Sequence, residues 1–193
     1  DIVSALSTSQ IQAPTPTQTK ALTTDQLNAL SSTQLASVDT ADIAALTGTQ
    51  VSGLATTNLA ALTTSQTQAL TRTQVSNLTS TQMQALETAD LASLSTSQLA
   101  GLSATQLDKL TTAQTASLTT AQVVALTTTQ VASMETSDVA AITTAQVSAL
   151  TTDQMAAMTT TQVVALTTAQ VSNLKTTQLA ALTTTQVVAM LTT

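Results

Sequence analysis

Aliphatic and polar side chains follow each other along this chain with a period of eight residues. From Ala21 the sequence reads ALTTDQLN, ALSSTQLA, SVDTADIA and ALTGTQVS, and the register continues without insertion or deletion to residue 188. An aliphatic residue occupies every eighth position from Leu22 to Met190, and Gln, Asp or Asn occupies every eighth position from Gln26 to Gln186. Self-similarity at a fixed period indicates a repeat architecture.

The repeat predicts one array over residues 1–193, with about 24 octapeptide units and a register that starts near residue 5. Three markers recur at six-unit intervals. They are the acidic pairs Asp39/Asp42, Glu87/Asp90 and Glu135/Asp138, the threonines Thr19, Thr67 and Thr115 at an aliphatic position, and the glycines Gly53 and Gly101. Duplication of a six-unit block is the simplest interpretation. The alternative is that six units fill a whole number of superhelical turns.

Hydroxyl and amide side chains within one unit have the spacing of a helix start. If Thr23 is the N-cap, Gln26 is the third helical residue, and the two can form a reciprocal capping box. Leu22 and Leu27 then have the spacing of a hydrophobic staple. The predicted fold is therefore all-α, a solenoid of short helices of about two turns with one helix per repeat. Each helix is expected to have about seven residues and to be followed by one non-helical residue.

The two prolines agree with this register. When Thr15 is a cap, Pro16 stands at the first helical position, where proline is favoured, and Pro14 lies outside the helix. One unit buries too little apolar surface to fold alone, so stability is expected to come from stacked neighbours. Stacking of all units would give a rod on the order of 80–120 Å.

A β-solenoid with 16-residue coils is the alternative fold, and the Thr and Val content favours it. Against it, Leu22 and Leu27 differ in parity and would point to opposite faces of a flat strand. Only 3 glycines are available for its tight corners. A single straight helix fails because its apolar stripe would drift by about 80° per octapeptide.

Composition excludes most chemistry. The chain has no Cys, no His and no aromatic residue, so the usual nucleophiles, general bases and soft metal ligands are absent. Four basic residues and a net charge of −6 cannot neutralise a row of phosphates, which argues against nucleic acid binding. No apolar run is long enough to span a bilayer. We expect no enzymatic activity, no catalytic residue, no cofactor, no metal and no membrane insertion.

The acidic pairs are the only candidate ligands. Carboxylates three residues apart could share Ca²⁺. The interpretation we prefer is that Asp39 replaces the capping Thr and Asp42 replaces the Gln, both near the positive end of a helix. Glu87 and Glu135 fit this account less well, because Glu is a poor N-cap.

The remaining distinctive side chains have structural interpretations. All five methionines fall on aliphatic positions and predict core residues: Met83, Met134, Met155, Met158 and Met190. The basic residues form no cluster along the sequence: Lys20, Arg72, Lys109 and Lys175. The second and third residues of the Thr run predict an exposed hydroxyl strip, which is most simply a solvated surface.

Units such as ALTTAQVS and ALTTTQVV resemble the LTTxQ octapeptide tracts of very large secreted or surface-anchored bacterial proteins, often called adhesin-like. The resemblance covers nearly all of the chain and implies an extracellular or cell-surface stalk, matrix or filament. We therefore expect a non-enzymatic structural protein that self-associates end to end or laterally into fibres. The alternative is a binding module whose Thr-rich face recognises glycan, ice or a protein partner.

Overall fold

The computed structural model describes residues 2–191, and within them the chain is entirely helical with no strand. A short 3₁₀ helix, η1, precedes 23 α-helices. The helices are η1 (Val3–Ala5), α1 (Thr8–Ile11), α2 (Pro16–Lys20), α3 (Thr24–Asn28), α4 (Ser32–Ala36), α5 (Thr40–Ala45), α6 (Gly48–Ser52), α7 (Thr56–Leu59), α8 (Thr64–Ala69), α9 (Arg72–Ser76), α10 (Ser80–Ala85), α11 (Thr88–Ser93), α12 (Thr96–Leu99), α13 (Ala104–Asp108), α14 (Thr112–Ser117), α15 (Thr120–Ala125), α16 (Thr128–Ser133), α17 (Thr136–Ala141), α18 (Thr144–Ala149), α19 (Thr152–Ala157), α20 (Thr160–Val164), α21 (Thr168–Ser172), α22 (Thr176–Ala181) and α23 (Thr184–Leu191). The all-α prediction is confirmed, and the β-solenoid is wrong.

Capping boxes begin most of the helices, as the octapeptide spacing predicts. At α19 the Thr151 backbone N–H donates to Gln154 Oε1 over 2.9 Å, and the Gln154 N–H donates to Thr151 Oγ1 over 3.1 Å. Thr151 is extended, with φ −73° and ψ 163°, as an N-cap requires. At α2 the cap is Thr15 and Pro16 is the first helical residue, so the expectation for the prolines is also confirmed.

The helices α1–α22 have four to six residues and are shorter than the predicted seven. Where a helix ends at the aliphatic residue before the next cap, that residue is also extended. Leu150, for example, has φ −53° and ψ 140°, and its N–H donates to the Val147 carbonyl in a tight i→i−3 bond. Such a 3₁₀ bond closes the last turn early. At such corners two extended residues, the aliphatic and the cap, therefore redirect the chain, whereas the sequence predicted one.

Helices pack against the helix three units further along the chain. Chain contacts divide the protein into two compact units, one up to Gly101 and one from Leu102. In the first unit α2 packs on α5, α5 on α8 and α8 on α11. In the second unit α14 packs on α17, α17 on α20 and α20 on α23. Each unit is therefore a solenoid-like array with three octapeptides, or 24 residues, in each coil. One continuous array over residues 1–193 stays a prediction.

Both aliphatic positions of the repeat point into the coil and form the core of each unit. In the second unit Val147 and Met155 are fully buried, and Leu150 is 6% exposed. Met83, Met134, Met155 and Met158 are buried as predicted, whereas Met190, in the last described helix, is only half-buried. No helix within residues 2–191 has both the length and the apolar character needed to cross a membrane.

The two halves of a capping box differ in burial, which predicts unequal effects of mutation. We expect Thr151→Ala to lower the free energy of unfolding by about 1 kcal/mol, because only the cap is lost. We expect Gln154→Ala to lower it by about 2–4 kcal/mol, because a buried amide and its partners are lost together. Urea unfolding measures both changes. Thr152→Ala, at an exposed helical position, is the control and should leave stability nearly unchanged. Equal losses for Thr151→Ala and Gln154→Ala would contradict this view.

Candidate functional site: the glutamine ladder and the acidic corners

The box glutamines make a second set of hydrogen bonds, which connects successive coils. Gln162 Nε2 donates to the backbone carbonyls of Val131 and Met134 over 2.9 and 2.7 Å. Gln170 Nε2 donates to the carbonyls of Val139 and Ile142 over the same distances. In other coils the acceptors lie 28 residues and 30 or 31 residues earlier, as for Gln50, whose Nε2 donates to the carbonyls of Lys20 and Leu22. We call this repeated set of contacts the glutamine ladder.

Each ladder glutamine satisfies both ends of its buried amide. In Gln162, which is 2% exposed, Oε1 accepts from the Thr159 N–H over 2.8 Å while Nε2 reaches the preceding coil. Sequence reasoning found the first role and missed the second. The signal was present, because Glu serves a capping box as well as Gln does, yet no Glu occupies this position from Gln10 to Gln186. Only an amide can both accept at the cap and donate to a carbonyl.

The acidic pairs do not cap their helices as predicted. Asp39, Glu87 and Glu135 stand at the N-cap positions of α5, α11 and α17, and none of them makes a side-chain capping bond. The expectation that Asp39 replaces the capping Thr in function is therefore wrong. Their partners three residues later lack a long amide side chain, so the reciprocal half of the box is missing as well.

Asp42, Asp90 and Asp138 occupy ladder positions and are 2%, 5% and 3% exposed. An ionised carboxylate cannot donate a hydrogen bond. The Leu110 carbonyl, which is 28 residues before Asp138, accordingly receives no hydrogen bond from the residues that the structure describes. These three aspartates interrupt the glutamine ladder.

The threonines that recur with the acidic pairs lie on the helices packed against them. Thr19 is in α2, which packs on α5, and its hydroxyl is hydrogen-bonded to the Asp42 carboxylate. Thr67 in α8 and Thr115 in α14 are placed in the same way, because α8 packs on α11 and α14 on α17. The Thr67 hydroxyl is buried without a hydrogen-bond partner in the described part of the chain. Six octapeptide units make two coils. The acidic pairs and the threonines therefore both recur once every two coils, with each threonine on the helix that packs against its acidic pair.

Burial and like charge raise the pKa of two of these aspartates. Burial is the main cause at Asp138, with Glu135 and Asp108 adding repulsion, and together they raise its pKa to about 6. Burial and Asp39 raise the pKa of Asp42, although the Thr19 hydrogen bond partly opposes them. Beside Asp138, the exposed Lys109 ammonium lies 2.9 Å from an Asp108 carboxylate oxygen.

Lys109 also lies 3.8 Å from Glu135 Oε1, a contact that the sequence did not predict because the two residues are distant along the chain. Within residues 2–191 no three acidic side chains are grouped so that they could hold a metal ion. The expectations of no metal, no cofactor and no catalytic residue stay predictions. The exposed Thr strip, such as residues 127–129, lies at the helix starts, where the first Thr of each unit caps.

One helix is capped by a side chain from a different coil. α7 follows Ala55, which has no capping group, and Asn58 replaces the ladder glutamine. Asn28, in the preceding coil, accepts from the Ala55 N–H over 2.8 Å and donates to the Gly53 carbonyl over 2.9 Å. Asn58 Nδ2 donates to the Leu27 carbonyl over 3.2 Å. Two asparagines therefore share the two roles that one ladder glutamine has elsewhere, while the hydroxyl half of the capping box has no replacement.

These features define a helical octapeptide-repeat protein whose coils are connected by buried glutamines. The family model described as the ALTTAQ repeat matches residues 83–120, 131–168 and 163–193, which together make up just over half of the chain. The chain belongs to the ALTTAQ repeat family. The predicted octapeptide repeat region is confirmed, while its adhesin-like context and bacterial origin stay predictions. No curated protein shows significant similarity to the chain.

The raised pKa of Asp138 predicts a pH-dependent stability. Because the folded pKa of about 6 lies above the usual aspartate value of 3.8, the folded state holds the proton more tightly. The contribution of Asp138 to the free energy of unfolding should be largest below pH 4 and fall, by at most about 3 kcal/mol, as the pH rises to 6 and beyond. Asp138→Gln should raise stability at pH 7 and remove this part of the pH dependence. Urea unfolding from pH 4 to 8 measures it.

Asp153→Asn is the matched control, since Asp153 is an exposed acid in the first turn of α19. It should leave the pH dependence nearly unchanged. A wild-type slope retained in Asp138→Gln would show that Asp138 is not the titrating group.

The asparagine cap predicts a rescue experiment. Asn28→Ala should destabilise α7 by about 1–2 kcal/mol, because the Ala55 N–H loses its acceptor. Adding Ala55→Thr and Asn58→Gln restores a capping box and a ladder glutamine, so Asn28→Ala should then cost much less. Hydrogen exchange of the α7 amides measures both effects. An equal cost of Asn28→Ala in the two backgrounds would contradict capping from the preceding coil.

Proposed function

We propose that the chain is a non-enzymatic structural protein, a repeat segment that serves as a spacer or as part of a filament. The observation that carries the proposal is the glutamine ladder. It gives each coil the same donors toward the preceding coil and the same acceptors toward the following one, so coils can be added without a new contact type. The chain has few side chains that could take part in a reaction, and its acidic pairs occupy N-cap and ladder positions of the helices.

The proposal includes an extracellular or cell-surface location, of the stalk or matrix kind. It is supported by the resemblance to LTTxQ tracts of large secreted and surface-anchored proteins. The composition is compatible with such a role, because the chain carries 7% charged residues and no Cys. Self-association, end to end or laterally, and the lack of nucleic acid binding belong to the same proposal.

A spacer should lengthen in steps of one coil. We expect a second copy of residues 145–168, inserted after Thr168, to preserve the octapeptide register and the 24-residue coil. Small-angle scattering should then show the largest dimension of the particle increase by about 10 Å, the spacing of packed helices. Helical content per residue, measured by circular dichroism, should stay constant.

The control for this experiment is a 12-residue insertion, a second copy of residues 145–156 placed after residue 156, which breaks the octapeptide register. It should lower helical content and stability. An in-register insertion that leaves the particle dimension unchanged would contradict a spacer role. Saturable binding of a glycan, of ice or of one protein to the Thr face would favour the binding module instead.

A further inference from the structure

Three groups around Asp90, all in the first unit, lack a hydrogen-bond partner among residues 2–191. Asp90 is 5% exposed, and its carboxylate accepts no hydrogen bond from these residues. The Leu62 carbonyl lies 28 residues earlier, at the spacing over which Gln82 Nε2 reaches the Leu54 carbonyl at 2.8 Å, and it receives no donor from them. The Thr67 hydroxyl is fully buried and is also unpaired within the same residues. A carboxylate, a carbonyl and a hydroxyl are therefore each available to a ligand.

The packing of the coils places these three groups close together. α8, which contains Thr67, packs on α11, which contains Asp90. Thr19 and Asp42 have the same separation of 23 residues, and there the hydroxyl is hydrogen-bonded to the carboxylate. Leu62 directly precedes the cap of α8 and is 4% exposed. The carboxylate, the hydroxyl and the carbonyl therefore lie around one buried position between two coils of the first unit.

No basic side chain balances the acidic pair at this corner. Within the part of the chain that the structure describes, neither Glu87 nor Asp90 forms an ion pair. At the equivalent corner of the second unit, Lys109 Nζ lies 3.8 Å from Glu135 Oε1. Ala61, 48 positions earlier, stands in the place of this lysine. Because buried charges in proteins are paired or coordinate metals, a positive charge at the Glu87/Asp90 corner would have to come from a bound ion.

The available ligand atoms at this corner are all oxygens, which hard cations prefer. Ca²⁺ accepts carboxylate, backbone carbonyl and other oxygen ligands in a flexible geometry, and waters complete a set of about six to eight. Mg²⁺ suits the corner less well, because it demands near-ideal octahedral geometry and gives up its waters reluctantly. Two carboxylates are sufficient here, since the carbonyl and the hydroxyl add neutral ligands.

We propose that the Glu87/Asp90 corner of the first unit binds a calcium ion. The two carboxylates hold the ion on the side of α11, and the Leu62 carbonyl and the Thr67 hydroxyl hold it on the side of the preceding coil. The ion thus connects the two coils where the glutamine ladder is interrupted. This site departs from the sequence-based expectation that the chain binds no metal, and the proposed structural role does not require it.

Calcium titration of the wild-type chain is the first test. Isothermal titration calorimetry with calcium chloride should give a dissociation constant on the order of 0.1–1 mM, the range of the weaker calcium-binding modules. At about ten times that concentration the unfolding midpoint, measured by circular dichroism, should rise by about 3–6 °C, and EGTA should reverse the rise. No binding heat, or an equal rise with Mg²⁺ at the same ionic strength, would overturn the proposal.

Asp90→Asn removes the central carboxylate and should weaken calcium binding by about tenfold or more. The variant should fold, because Asn58 already occupies a ladder position, where it donates to the carbonyl of Leu27 over 3.2 Å. Asp25→Asn is the matched control, since Asp25 is an exposed acid of the first unit, in the first turn of α3. It should bind calcium like the wild type. Unchanged affinity in Asp90→Asn, or an equal loss in both variants, would overturn the site.

Two further variants test the neutral ligand and the charge balance. Thr67→Val places an ordinary aliphatic residue of the repeat at this position and should weaken calcium binding by about two- to tenfold, the effect of one lost polar contact. Ala61→Lys supplies an ammonium in the place that Lys109 has in the second unit. It should abolish calcium binding and raise the unfolding midpoint without calcium. Unchanged calcium affinity in both variants would overturn the proposal.

Discussion

The structure depends on one side chain that satisfies two demands at once. A ladder glutamine is almost completely buried, so an unpaired amide oxygen or nitrogen would cost about 1–3 kcal/mol. Its oxygen binds the cap of its own helix, and its nitrogen binds carbonyls 28 and 31 residues earlier, as in Gln162. The same amide therefore starts a short helix and holds it on the preceding coil. A helix of this length is not stable in isolation, so the contact with the preceding coil is needed to hold it.

Departures from the repeat show what the ladder contributes. At α7, where both Thr and Gln are missing, Asn28 accepts from the Ala55 N–H and Asn58 donates to the Leu27 carbonyl, the two contacts of a ladder glutamine. At α5 the Asp42 carboxylate accepts a hydrogen bond from the Thr19 hydroxyl of the preceding coil. At Asp138 the carboxylate is buried near two other acids, and its pKa rises to about 6. Where the ladder contact is lost, either another polar group compensates for it or, as at Asp138, the buried carboxylate has a raised pKa.

Local features of the fold could be predicted from the sequence, and long-range features could not. Thr–x–x–Gln spacing fixes the helix start, because cap and partner lie three residues apart, and Pro16 supports the register independently. The number of units per coil depends on the angle at each corner, which two extended residues such as Leu150 and Thr151 set together. The Lys109–Glu135 contact and the second role of glutamine depend on that angle. Sequence order alone therefore did not reveal them.

The narrow coil also explains why a chain of this length contains no aromatic residue. With three short helices in each coil, one or two aliphatic side chains per helix fill the interior. In the second unit the cavity between Leu118, Val131 and Met158 has a volume of only about 10 Å³. An aromatic ring would overpack this space at a cost of about 1–3 kcal/mol, whereas Leu, Val and flexible Met fit it. Stability must then come from repetition of small contacts, and the buried amides fix the register in which those contacts repeat.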